Sequence, residues 1–573
     1  MVQQLTLRPY TAWQLITAYW RSERRWFAYT FFAMVVVMTV AIVGMNVVFN
    51  YWMNHFYDAL QDYDKISVFD LLKIFFFLAS IYIVLAVYRY YLSQYLELYW
   101  RRWLTEQFVS CWLSKRSYYY LENFDKQTDN PDQRIQEDIG ALVTSSLSLF
   151  MGLLTAIATV CAFVYVLWSL SGVLHIPLGS WGSLDVPGYL VWVSVLYSLL
   201  GTYFTFKLGK PLVGLNFEQQ RREATFRFAA VDVRAHAEHV ALYHGENQQK
   251  SALNRLLDSV LENWYFIILR QKLLMWFTSG YNQISVALPL LVALPNYFNK
   301  VFLLGGLIQT IGAFAQIQDA LSFLINAYPQ IAQWRAVVQR LTTFLQHMYE
   351  IDQNALAQNH FVYAEGQQPR IVACNLSITT PQGQLLLKEV NQEFIHGQHY
   401  LIQGVSGIGK STFVRTIAGI WPYGQGKIIL PQQQTIMYLP QKPYMPIGTL
   451  EEAVLFPNKQ KKAVETATLQ QVLAECNLSH ISDRLYEVAT WSQQLSPGEQ
   501  QRIALARVLL QKPDWVFLDE STSALDAENE KRFYHLLKTN LPHCSLVSIG
   551  HRLSLEGFHS HVLDFSKYRI TAK

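Results

Sequence analysis

Long apolar runs fill the first part of this chain, and short ones fill the rest. Six stretches, at 26–49, 71–92, 148–170, 189–206, 273–295 and 301–325, approach or exceed the ~20 apolar residues that cross a bilayer as a helix. The fifth and sixth are the more polar, with Tyr281, Asn282, Gln283, Gln309, Gln316, Gln318 and Asp319 among them. Between the second and third stretches, and again between the fourth and fifth, charged residues recur among apolar ones at roughly helical spacing, as in REATFRFAAVDVRAHAEHVALYHGE. This pattern predicts membrane helices that run on well beyond the bilayer. Near the start, TAWQLITAYW sets Trp13, Ile16 and Trp20 on one helical face, which suits an interfacial helix or a packed one.

Lys and Arg alternate from loop to loop. Arg21, Arg24 and Arg25 precede the first stretch, the segments 101–134 and 207–272 are rich in Lys and Arg, and 171–187 has neither. The positive-inside bias then predicts six spans with both termini and the long extensions in the cytosol. Arg89 and Asp70, near span ends, read as side chains snorkelling to the headgroups, with a transport role as the alternative. The polar residues of spans five and six suit either a wet cavity for hydrophilic cargo or contacts between helices.

After about residue 345 the character changes. The polar stretch 345–369 reads as a linker between a membrane domain, 1–344, and a second domain, 370–573. In HYLIQGVSGIGKSTFVRTIAG a strand, a glycine-rich loop and a helix follow one another. Gly404, Val405, Ser406, Gly407, Ile408, Gly409, Lys410, Ser411 and Thr412 fit the GxxxxGK[ST] phosphate loop. Its glycines let N–H groups close on phosphates, Lys410 reaches the β- and γ-phosphates, and Ser411 ligates Mg2+ at a helix N-terminus. WVFLDE (515–520) is an apolar strand that delivers Asp519 and Glu520, the first to Mg2+ and the second to the attacking water. LSPGEQQR (495–502) starts a helix with Ser496 as N-cap, Pro497 first, Gly498 second and Glu499 third, a capping box that keeps the Gly498 and Glu499 N–H groups facing an anion.

Composition narrows the class. The 573 residues include 15% charged and 14% aromatic side chains, and the net charge of +4 gives no footprint for nucleic acid. The five cysteines are scattered, with no disulfide or zinc spacing, which suits a reducing compartment. No signal-peptide pattern precedes the first apolar run.

Phosphate loop, Gln441 in YLPQKPYM, LSPGE, acidic strand, SALD (523–526) and His551 in SIGHR come in the order found in ATP-binding cassette ATPases, which the chain resembles. TPQG (380–383), GIWPYGQG (419–426), FYDALQ (56–61) and NPDQRIQEDI (130–139) extend the resemblance to the ABCD subfamily of peroxisomal and lysosomal transporters. They also extend it to YddA-type bacterial half-transporters and to the SbmA/BacA peptide-uptake proteins, which lack the ATPase. The resemblance implies a six-helix, exporter-type membrane domain followed by an α/β P-loop ATPase domain. It implies catalysis by Glu520, His551 and Gln441, Mg2+ held by Ser411, Gln441 and Asp519, and Asp526 signalling across a dimer. Ser496, Gly498 and Glu499 would contact ATP held by a second subunit, so the resemblance implies a homodimer in a bacterial inner membrane. Its cargo would be a small molecule or peptide, cobalamin-like or peptide if hydrophilic, with lipid or acyl-CoA transport, an ATP-gated channel or a regulatory ATPase as alternatives. The segment 370–393 has no aromatic residue to stack on adenine, which leaves Phe361, Tyr363 or a remote group for that place.

Overall fold

The computed structural model describes residues 10–124, 130–177, 183–298, 300–457 and 464–568. It divides into two compact units. One comprises Met1–Ser114 and Gln127–Met348, and the other Lys115–Lys126 and Tyr349–Lys573.

The first unit is helical. A short helix α1 (Ala12–Thr17) leads to α2 (Arg25–Gln61) and α3 (Lys65–Leu113). The turn between α2 and α3 is closed by Asp64, which caps α3 by accepting from the Ile66 and Ser67 N–H groups. The helix α4 (Ser117–Phe124) belongs to the second unit. A brief α5 (Pro131–Gln133) and a π-helical turn, Arg134–Asp138, enter α6 (Ile139–Ser171). A hairpin of β1 (Val173–Pro177) and β2 (Ser183–Pro187) joins α6 to α7 (Tyr189–Ala235). Then follow α8 (Ala237–Leu242), α9 (Glu246–Phe298), α10 (Leu304–Leu321) and α11 (Phe323–Gln358), the last passing into the second unit. Among the described residues five helices, α2, α3, α6, α7 and α9, are long and apolar enough to cross a membrane. The sixth apolar stretch forms α10, whose mixed polarity is explained by its packing against α2, α6, α7 and α9.

Two features of this unit differ from the sequence expectation. The stretch 345–369 is not a loose linker, because α11 continues to Gln358 and the strand β3 (Asn359–Gly366) follows directly. Leu341, Leu345 and Met348 continue one buried face of α11 into it. The N-terminal helix is both packed and open. Leu15 is buried and Tyr19 stacks on Trp100 at 5.9 Å, while Trp13 is 70% exposed.

The second unit contains two sheets. A four-stranded sheet runs β3, β7 (Gly424–Pro431), β4 (Arg370–Thr379) and β5 (Leu385–Ile395), antiparallel except for β3 with β7. A five-stranded parallel sheet runs β13 (His561–Asp564), β6 (Tyr400–Gln403), β12 (Ser545–Ile549), β11 (Trp515–Asp519) and β8 (Ile436–Leu439). Its central strands β11 and β12 read WVFLD and SLVSI, continuous apolar or small runs that suit a parallel sheet covered on both faces. The helix α12 (Lys410–Ile417) packs on one side with Phe413, Phe517 and Phe394 in one core. On the other side lie α13 (Leu450–Leu455), α14 (Thr466–Glu475), α15 (Trp491–Gln494), α16 (Pro497–Gln511) and α17 (Ala527–Asn540). A two-stranded pair, β9 (Gly448–Thr449) with β10 (Val488–Ala489), tethers that helical layer.

Lys115–Lys126, expected within the membrane domain, is part of this second unit. Lys115 and Arg116 take positive φ of 49° and 63°, so the chain turns sharply after α3. Lys115 pairs with Asp352 at 2.7 Å, and Phe124 packs edge-on against Trp421 and Tyr423 of the GIWPYGQG stretch. Arg116 donates to the carbonyls of Gly419 at 2.5 Å and Ala418 at 3.4 Å, which are orphan acceptors at the end of α12.

Candidate nucleotide site

The phosphate loop leaves β6 at the carboxyl end of the parallel sheet, where open α/β sheets bind ligands. Gly404, Gly407 and Gly409 have φ of 145°, 80° and 106°, backbone that only glycine adopts without strain. Val405, Ser406 and Gly407 face solvent, while Ile408 is buried and anchors the loop to the core. Thr412 lies in the first turn of α12, where its carbonyl accepts from the Thr416 hydroxyl.

Lys410 is buried and folds back over the loop. Its ammonium donates to the Gly404 and Val405 carbonyls at 2.8 and 3.1 Å, and lies 3.2 Å from His551 Nε2. Burial lowers its pKa, with Glu520 and Asp519 opposing that shift. The ammonium has no proton-accepting lone pair, so this contact makes His551 Nε2 the acceptor and puts the ring proton on Nδ1. The Ser411 hydroxyl donates to Asp519 Oδ1 at 2.8 Å. Burial raises the Asp519 carboxyl, against the lowering effect of the Ser411 hydrogen bond and the nearby Arg415 and Lys410 charges. Glu520 follows at φ 47°, a left-handed turn that aims its carboxylate away from the strand. Gln441 Nε2 donates to Glu520 Oε2 at 3.2 Å, and His551 Nε2 stands 3.6 Å from Glu520 Oε1.

The phosphate loop, the acidic strand end, Gln441 and His551 are therefore brought to one place. A cavity of about 580 Å³ opens beside them, lined by Ser411, Arg415, Gln441, Lys442, Asp519 and Glu520. A hydroxyl and a carboxylate already at hydrogen-bond distance are hard oxygen ligands of the kind magnesium takes, with phosphate oxygens completing its shell. The donor set fits a magnesium–nucleotide.

The LSPGE loop stands apart from that cavity. Among the described residues none of 495–502 lines it. The capping box read from the sequence is present. Ser496 is the N-cap at φ −60° and ψ 155°, its hydroxyl accepts from the Glu499 N–H at 3.3 Å, and Glu499 Oε2 accepts from the Ser496 N–H at 2.8 Å. Burial pushes the Glu499 carboxyl up, but hydrogen bonds from Ser496 and His480 outweigh this and leave it low. Pro497 is the first helical residue and is exposed, as is Ser496. Gly498 packs close to the Ala524 carbonyl, which an added Cβ would meet at 3.2 Å. Asp526 caps α17 through the Asn529 N–H at 2.7 Å, and that bond holds its carboxyl below the usual range.

Sequence reasoning missed the residue that ties these pieces together. Gln501 is buried at 2% exposure. Its Nε2 donates to the Gln441 carbonyl at 3.0 Å and to Ser523 Oγ at 3.3 Å, and its Oε1 accepts from the Ala524 N–H at 3.0 Å. One amide thus joins the LSPGE helix, the glutamine loop and the SALD turn. Arg507 was missed too. It donates to the Ala453 and Tyr444 carbonyls at 2.8 Å, and burial lowers its pKa to about 10. A run of Gln and Arg on an apolar helix face was the available signal, but their partners lie 22 to 63 residues away.

The proposed adenine platforms do not fit. Phe361 is buried in the core, and Tyr363 is tied through its hydroxyl to the Thr416 carbonyl at 2.7 Å.

The sequence matches the family description "ABC transporter transmembrane region 2" over residues 15–298 and "ABC transporter" over residues 387–523. It is 31% identical to the inner membrane ABC transporter ATP-binding protein YddA of Escherichia coli, over 96% of each chain. It is 30% identical to ABC transporter D family member 2, chloroplastic, of Arabidopsis thaliana, over 97% of this chain and 85% of that one. A bacterial Atm1-family ABC exporter with ATP bound shares the fold at a TM-score of 0.71, with 18% identity and 94% of both chains covered.

Proposed function

The chain belongs to the ABC transporter family, a membrane domain joined to an ATP-hydrolysing one, and we propose that two copies share two ATP molecules between their ATPase domains to move a hydrophilic solute. The observation that carries the dimer is the incompleteness of the nucleotide cavity. Ser411 of the phosphate loop, Gln441, Asp519 and Glu520 line it, with His551 beside Lys410 and Glu520, whereas the LSPGE helix start is exposed and outside it. An exposed helix N-terminus, with the Glu499 N–H capped by the Ser496 hydroxyl and the Gly498 N–H left for a ligand, is half of an anion site. A second copy supplies the other half.

In this reading Lys410 and the loop N–H groups hold the phosphates, and Ser411, Gln441 and Asp519 hold Mg2+. Bound there, the cation neutralises charge developing on the phosphate oxygens. Glu520 accepts the proton of the attacking water, oriented by Gln441, and His551 contacts the γ-phosphate once Lys410 has turned to it. Asp526 reports occupancy across the interface. The membrane is a bacterial inner membrane with the ATPase domains and both termini in the cytosol, which rests on the loop charges and on the relative named for that membrane.

Hydrophilic cargo is supported by Arg89, Gln316 and Asp319 in the wall of a cavity among α2, α3, α6 and α10. The D-family relative motivates lipid cargo as a second reading, and a cavity of about 590 Å³ walled by Trp13, Trp20, Trp100 and Trp334 favours it. ATPase activity in nanodiscs against parallel panels of polar solutes and acyl chains separates the two. Stimulation by acyl-CoA alone would reverse the choice.

A further inference from the structure

Arg89, for which snorkelling and a transport role are the alternatives, is half-buried. It lines a cavity of about 440 Å³ together with Gln316 and Asp319 of α10, Ser93 of α3, and Thr155 and Thr159 of α6. Arg89 and Asp319 are the only charged residues among those described around it. Neither forms a hydrogen bond or ion pair with any described residue.

That is out of keeping with the rest of the unit. Asp138 is clasped by Arg134 at 3.1 Å and by Arg340 at 2.9 and 2.5 Å. Asp70, the other residue read as snorkelling, pairs with Lys73 on the surface. Two of the three neutral amides of α10 are engaged. Gln309 accepts from Asn54 at 2.5 Å, and Gln318 accepts from Ser285 at 2.6 Å. Within one helix, Gln309 and Gln318 are spent on other helices, while Gln316 and Asp319 turn to the cavity. An unpaired charge in an apolar span is costly and is held where it meets a ligand or water. Here one of each sign faces the same small space.

We propose that this cavity is a cargo subsite for a small zwitterion, an amino acid or short peptide. Its carboxylate is held by the planar donors of Arg89 and its ammonium by Asp319. Thr155 and Thr159, one helical turn apart, line the wall between. A carboxylate alone would leave Asp319 unpaired, and an amine alone would leave Arg89 unpaired, so the site selects for both charges on one molecule. The assignment rests on the transport reading above and gives it a substrate class.

The test uses the full chain in lipid nanodiscs, with ATPase as readout. The probes are alanine and its di-, tri- and tetrapeptides, each free, N-acetylated, C-amidated and doubly blocked. Wild type is expected to hydrolyse ATP at least about twofold faster with at least one free peptide, and not with its blocked forms. Each variant is compared with its own rate without peptide. Arg89→Gln should lose the distinction between carboxylate and amide, and Asp319→Asn the distinction between amine and acetyl. Arg89→Lys should keep part of the preference. Equal responses to free and doubly blocked peptides in wild type, or no response to any, overturn the assignment without recourse to a variant. So does unchanged discrimination in Arg89→Gln. Absence of magnesium-dependent ATP turnover in wild type alone would instead overturn the transport reading.

Discussion

The two units treat polar side chains in opposite ways. In the ATPase unit almost every chemistry-bearing group is already tied to another. Lys410 rests on loop carbonyls, Ser411 on Asp519, Gln441 on Glu520, and Gln501 on two loops at once. In the membrane unit Arg89 and Asp319 stand without partners among the described residues, while the Gln309 and Gln318 side-chain oxygens of the same α10 accept from other helices. The difference teaches where each unit keeps its specificity. A magnesium–nucleotide is a fixed object, and its cradle can be held in shape by exchanging one set of contacts for another. A cargo site has to wait for its ligand, and its charges stay open.

The largest effect that would break this comparison belongs to Glu520. Glu520→Gln removes the proton acceptor while keeping the Gln441 contact, and ATP turnover should fall ~100- to 10,000-fold with nucleotide binding retained. Phosphate release and nucleotide binding, measured together, check this. Next comes Gln501→Leu, which removes the part-buried hydrogen bonds that the Ala524 N–H and Gln441 carbonyl make to this amide. A cost of about 1–3 kcal/mol is expected, seen as a lower melting temperature and slower ATP turnover. A variant as stable and active as wild type would mean that the links are incidental. Asn54→Leu should cost about 1 kcal/mol, since hydrogen bonds between membrane helices are individually weak. Denaturation in mixed micelles reads it.

A smaller effect concerns pH. His559 is buried, its Nε2 2.8 Å from Ser548 Oγ and its Nδ1 2.7 Å from the Leu555 carbonyl. Burial is the main cause that lowers its pKa to about 4. The unfolded chain therefore binds this proton first as pH falls. Stability from this group is intact above about pH 6.5 and is lost as pH drops toward 4. Melting temperatures at pH 7 and 5 should differ less in His559→Gln than in wild type. The smallest effect is expected of Pro497→Gly, because proline at the first helical position removes no needed donor. Turnover should stay within about twofold.

What could be read from the sequence follows the same division. The phosphate loop, the acidic strand and the capping box at Ser496 are short contiguous patterns, and they are legible even where their partners are distant, as Ser411 is from Asp519. Gln501 was not, because its meaning comes from Gln441 and Ala524. In the membrane unit hydropathy located the apolar cores but not the helix ends. The helix α2 runs from Arg25 to Gln61, well past its apolar core, because Asp58 and Gln61 are used to cap α10 at the Gly305 and Leu304 N–H groups. Nor could hydropathy separate Gln318 from Asp319. They are neighbours in sequence, and only the packing of α10 sends one to Ser285 and the other to the cavity.

The central claim is that each ATP site is built from the phosphate loop of one chain and the LSPGE loop of the other. Mixed dimers test it most directly. One chain carries Lys410→Ala and the other Ser496→Arg, and each homodimer is inactive. In the mixed dimer both lesions fall in one site, and the other site is wild type on both sides. Vanadate-dependent trapping of nucleotide should return, at one molecule per mixed dimer. Mixed dimers that trap no more than either parent would contradict the account.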